Sequence, residues 1–86
     1  MYGYVYILKD RNGRFYIGST NDLARRLKQH QLGHTQTTRN MISPAMVFSQ
    51  QFNTLILARK IELRLKKSKR KDFLEKIVRD GYIRLT

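Results

Sequence analysis

The chain has no cysteine, no tryptophan, a single proline and only six acidic residues among its 86. The missing thiols exclude a disulfide scaffold, a cysteine zinc cluster and thiol catalysis together, and they give secretion no support. No apolar run approaches the ~18 residues of a membrane span. The first residues also lack the charged-then-apolar order of a signal peptide, so a cytoplasmic protein without membrane association is expected. No repeat, proline-rich linker or low-complexity stretch divides the sequence, which reads as one domain over residues 1–86. A chain of this size buries only about 60% of its unfolded surface, so its core is small.

Positive charge is what the chain has in excess. Eighteen Lys and Arg against six Asp and Glu give a formal charge of +12. Such an excess most simply points to a polyanionic partner, because each cation that neutralises a phosphate releases condensed counterions. An anionic membrane surface is disfavoured, since no helix pairs a basic face with large exposed aromatics. A 41% hydrophobic fraction, with five Tyr and four Phe, still specifies a folded core rather than disorder.

The pattern predicts an α+β fold in the order β-β-α-β-α-α, a three-stranded antiparallel sheet flanked by three helices. Tyr4 to Leu8 and Arg14 to Ser19 are rich in aromatic and β-branched residues, and Asp10-Arg11-Asn12-Gly13 between them carries the Asn-Gly hairpin signal. Thr20 or Asn21 is expected to cap a first helix with Asp22 in its first turn, a Leu23/Leu27 buried stripe and a stop at Gly33. The polar stretch from Gly33 to Ser43 reads as a loop. Pro44 introduces a third strand over Ala45 to Phe52, whose place in the sheet is not encoded locally. Helices then follow from about Thr54 to Lys67 and from about Arg70 to Arg79, the last ended by Gly81.

Glu62 is the anomaly of the second helix. Leu55, Ala58 and Leu65 form one helical stripe, and the position continuing it between Ala58 and Leu65 is this carboxylate. The other five acids have local explanations at turns and along helices, whereas Glu62 has none. An ion pair with Arg26, Arg59 or Lys66 is the plain reading. The functional one is a single-carboxylate site for a divalent ion, in which Mg²⁺ keeps most of its waters and takes remaining oxygens from a substrate phosphate. On the first helix, Arg26 and His30 are four apart and share a face. They read either as an ordinary solvated face or as a phosphate-binding guanidinium beside a proton-relaying imidazole. Tyr2, Tyr4 and Tyr6 alternate onto one strand face. Packing is the default for such residues, but a hydroxyl facing a cationic pocket is a usable base.

Taken together, Tyr4-Val5-Tyr6, the ten-residue step from Tyr6 to Tyr16, Tyr16-Ile17-Gly18-Ser19, Asn21-Asp22-Leu23, Arg26 with His30, and a later Glu62 resemble the GIY-YIG nuclease domain, and most closely its small stand-alone members. The resemblance covers roughly residues 2 to 75. It implies metal-dependent hydrolysis of DNA phosphodiesters, with a place in DNA repair or recombination. Tyr6 and Tyr16 match the tyrosines of the two motifs, Arg26 the phosphate-binding arginine, His30 the helix histidine near the attacking water, and Glu62 the single ligand for Mg²⁺ or Mn²⁺. Tyr6 or Tyr16 is then the general base, with Tyr6 preferred. The motif's opening glycine is replaced by Tyr4, which adds bulk beside the site. Gly18 is retained, as suits a backbone passing close to a phosphate or to the first helix.

Between Arg59 and Lys71, eight of thirteen residues are basic: Arg59, Lys60, Arg64, Lys66, Lys67, Lys69, Arg70 and Lys71. Their mutual repulsion is relieved by a polyanion, so they are expected to contact nucleic acid together with Arg25, Lys28 and Arg39. DNA is the expected partner, RNA is not excluded, and with no separate recognition domain a protein partner could supply specificity. The leading expectation is an endonuclease of little sequence preference. The alternative is a nucleic-acid-binding module that keeps the fold and cleaves poorly or not at all.

Overall fold

A computed structural model describes residues 1–31, 44–68 and 70–83. Strands β1 (Gly3–Lys9) and β2 (Phe15–Thr20) precede helix α1 (Leu23–Gln31), followed by β3 (Ala45–Phe52), α2 (Leu55–Ser68) and α3 (Lys71–Asp80). Among the described residues the order is therefore the expected α+β one. The predicted stop at Gly33 and the loop to Ser43 lie outside the described residues.

Each boundary has a local cause. Gly13 closes the hairpin with a φ of +82°, a conformation that costs glycine little, while Asp10 Oδ1 accepts a 2.8 Å hydrogen bond from the Arg14 amide. Asp22, rather than Thr20 or Asn21, caps α1: its Oδ1 accepts from the Arg25 amide at 3.1 Å, and Thr20 Oγ1 in turn accepts from the Asp22 amide at 3.1 Å. The acid thus acts one position earlier than expected, through a hydrogen bond as well as through the helix dipole. Thr54 caps α2 by accepting from the Leu57 amide at 3.1 Å.

The sheet is antiparallel with strand order β2-β1-β3, so β1 is central and β2 lies at one edge. Side-chain alternation divides β1 between two faces. Val5 and Ile7 join Ile17, Phe48 and Phe52 in one core, which Ala58, Ile61 and Leu65 of α2 and Leu74 and Ile77 of α3 complete. Tyr6, on the other face of β1, is fully buried and meets His30 of α1. The expected α1 stripe of Leu23 and Leu27 is only half-buried, and His30 is the most deeply buried residue there.

The register pairs Tyr6 with Gly18 across the strands. A Cβ at Gly18 would run into the Tyr6 hydroxyl and ring, so within the fold this glycine makes room for a tyrosine. Gly18→Ala is expected to cost about 1–3 kcal/mol through overpacking, a large share of a small domain's stability. Urea denaturation checks this, and an unchanged midpoint would show that the Tyr6 ring has another place to go.

Candidate active site

Three side chains that the sequence spaces far apart converge on one oxygen. Arg26 Nε donates to the Tyr6 hydroxyl at 3.1 Å, and that hydroxyl lies 2.8 Å from His30 Nε2. With Arg26 donating into it, the phenol can direct its own proton to His30 Nε2, an arrangement that uses the neutral ring with its proton on Nδ1. Burial and the nearby Arg26 charge both lower the His30 pKa, which favours the neutral ring this arrangement requires. Burial raises the Tyr6 pKa, against the opposing hydrogen bond from Arg26, so the resting phenol is neutral. Tyr16 stacks edge-on to the same imidazole, with centroids 5.3 Å apart, and its ring lies 6.4 Å from that of Tyr6. Arg26 is held further by Gln29, whose Oε1 accepts from Nη1 at 3.2 Å.

The His30 shift has a consequence for stability. Its folded-state pKa lies below the unfolded value of ~6.5, so stabilisation by the neutral ring is complete above that pH and is lost as pH falls through the lower folded value. Thermal denaturation should show the melting temperature dropping between pH 7 and pH 5. His30→Gln, which still offers Tyr6 an acceptor, should flatten that slope.

Glu62 stands across the β2 edge from this group. Ser19, opposite Val5 and so on the α2 side of the sheet, donates its hydroxyl to Glu62 Oε1. Lys66 Nζ lies 2.6 Å from Oε2, which selects Lys66 from the three expected ion-pair candidates. The carboxylate borders the core rather than entering it, because Ile61 takes the buried position of that turn. Lys66 also sits 5.7 Å from the Tyr16 ring centroid and so reaches around the edge toward the tyrosines.

An open cleft of about 480 Å³ lies at the end of β2 between α1 and α2. Its lining includes Ser19, Asn21, Arg25, Arg26, Gln29 and Arg59, with three guanidiniums and no acid among the described lining residues. This composition suits a phosphodiester. The other cations of the described residues are spread over several elements. Lys60, Arg64 and Lys67 lie together on the outer face of α2, Lys28 is exposed near the end of α1, and Lys71 is exposed at the start of α3. Arg70 pairs with Asp72 at 2.9 Å. Arg39 and Lys69 fall outside the described residues.

Ser19 and Gln29 were not singled out from the sequence. Ser19 ends the Tyr16-Ile17-Gly18-Ser19 motif, and its register opposite Val5 is the signal that aims it at α2. Gln29 lies three residues after Arg26 on one helix, close enough to brace it.

Residues 2–76 match the GIY-YIG catalytic domain. The chain belongs to the GIY-YIG family, a nuclease-type family that acts on nucleic acid and generally uses a divalent metal. A UPF0213 protein of Streptococcus pneumoniae is 37% identical over 68 residues, covering 78% of this chain and 69% of that protein. A UPF0213 protein of Citrobacter koseri is 33% identical over 79 residues, covering 91% and 78%. The solution NMR structure of a UPF0213 protein from Bacillus halodurans is 30% identical, with a TM-score of 0.59 over 94% of this chain and 87% of that one. Among the described residues, no helix is long and apolar enough to cross a membrane.

Proposed function

We propose that residues 1–86 act as one endonuclease domain that hydrolyses DNA phosphodiesters with little sequence preference, using a single Mg²⁺ or Mn²⁺. The observation that supports this best is the shared Tyr6 hydroxyl, bonded at once to a phosphate-competent guanidinium and to a neutral imidazole.

The donor set fits one hard cation. Glu62 offers one carboxylate with the Ser19 hydroxyl beside it, and no group of three His, Cys, Asp or Glu that could hold a metal exists among the described residues. This suits an ion that keeps most of its waters, and Glu62 would hold it. The metal would supply positive charge to the phosphate as negative charge grows there.

The chain's own residues account for the proton. In the resting arrangement Tyr6 is fully buried and its hydroxyl is occupied by Arg26. Arg26 is half-exposed and lines the cleft, so turning to an entering phosphate withdraws its Nε from the phenol and opens a lone pair. The phenol oxygen then takes the proton of an attacking water while its own proton passes to His30 Nε2. Phenolate need not accumulate, and His30 becomes imidazolium. Arg26 meanwhile holds the phosphate whose charge increases. Tyr16, half-buried beside His30, confines the ring that receives the proton. Arg25 and Arg59 position the backbone in the cleft, and Lys28, Lys60, Arg64, Lys67 and Lys71 extend its reach without reading bases.

Purified protein should nick supercoiled plasmid when Mg²⁺ or Mn²⁺ is added, and should stop when the ion is chelated. Linear duplex, single-stranded, branched and RNA substrates in the same assay define the preference. Salt-dependent binding without cleavage on any substrate would instead establish the binding-module reading, in which a partner protein does the cutting.

A further inference from the structure

Both oxygens of Glu62 are engaged by the protein itself. Ser19 donates to Oε1, while Lys66 Nζ approaches Oε2 at 2.6 Å. The two partners of the ion pair differ in freedom: the Glu62 side chain is 16% exposed and that of Lys66 is 45% exposed. The anion is fixed against the sheet by Ser19, and the ammonium is the member able to leave. An acid preceding a lysine by four residues is the favourable order on a helix, yet a half-exposed pair of this kind is weak enough to yield to a stronger cation.

The surroundings make the pairing more than a surface contact. Leu55 and Arg59 line the cleft, and Glu62 and Lys66 continue the same line of α2, which so carries one anion between two cations. A carboxylate among positive charges meets its nearest tethered cation first, and that cation competes with any free ion for the same oxygen. The oxygen that Lys66 occupies is the one left after Ser19 has taken the other.

Resting on the reading of Glu62 as metal ligand, we propose that Lys66 is the resident counter-cation of that site, holding Oε2 until a divalent ion displaces it. Lys66 thereby sets the concentration of metal at which the site fills, while Ser19 keeps the Glu62 carboxylate in place for the ion. It is a positioning residue, since its effect runs through Glu62.

The test is the Mn²⁺ dissociation constant, read by the electron paramagnetic resonance signal of free Mn²⁺, for wild type, Lys66→Met, Lys66→Arg and Glu62→Gln. Melting temperatures with and without Mn²⁺ accompany it. Lys66→Met keeps most of the aliphatic stem and removes the competitor, so it should bind Mn²⁺ about fivefold tighter, in keeping with the strength of such a pair. It should also gain more thermal stability from the ion than wild type does. Lys66→Arg, which retains a cation, should stay within about twofold of wild type. Unchanged or weaker binding in Lys66→Met, or equal tightening in both variants, would overturn the proposal while leaving the metal assignment intact. Mn²⁺ binding that survives Glu62→Gln would overturn both.

Discussion

Tyr6→Phe should lower the rate of plasmid nicking by about 10³-fold, within the range that removal of a general base produces, while the protein still folds and binds DNA. The substitution deletes one oxygen from the centre of the site. Arg26 Nε loses its acceptor and His30 Nε2 its hydrogen-bond partner. The guanidinium can turn to solvent or phosphate, but the imidazole is only 2% exposed, so a stability loss of about 1–3 kcal/mol is expected with it. Tyr16→Phe removes a hydroxyl that favours the charged Arg26 and should cost no more than about tenfold, since the route from water to His30 does not pass through it. Single-turnover rates of the two variants decide the assignment, and the reverse order would make Tyr16 the base.

Glu62→Gln should reduce nicking by about 10²–10³-fold, the equivalent of several kcal/mol of charge stabilisation at the phosphate. The amide preserves shape and can still accept from Ser19, so the fold should survive. What disappears is the negative charge that holds the ion and attracts Lys66. DNA affinity should remain or rise slightly, because a negative charge has been removed from a basic surface. Filter binding across a salt series separates this from a general loss of structure.

The parts of the fold and site written in local chemistry were legible. The hairpin signal at Asn12-Gly13, the strand from Ala45 to Phe52 and the helix end at Gly81 all fall where composition places them. The inward lean of Glu62 was visible as a break in the Leu55-Ala58-Leu65 stripe, although the fully buried residue of that turn is Ile61. What depends on register was not legible. Gly18 is required by the ring of Tyr6, and only the pairing of β1 with β2 brings those two residues face to face. Ser19 is aimed at Glu62 by the same register, 43 residues away in sequence. The spacing of Leu23, Leu27 and His30 puts the imidazole on the inward stripe of α1, but its contact with the Tyr6 hydroxyl depends on which sheet face α1 covers. The basic run from Arg59 to Lys71 read as one patch, whereas helix geometry splits it into a cleft edge at Arg59, an outer face at Lys60, Arg64 and Lys67, and an ammonium committed to Glu62.

A single pair of time courses bears most heavily on the proposed nuclease: single-turnover nicking of supercoiled plasmid in Mn²⁺ by wild type and Glu62→Gln, at protein concentrations that bind equal fractions of the DNA. Wild type should convert the plasmid to nicked circles, and Glu62→Gln should leave it supercoiled over the same interval. Equal rates from the two proteins would contradict the assignment of Glu62 and with it the metal-dependent mechanism.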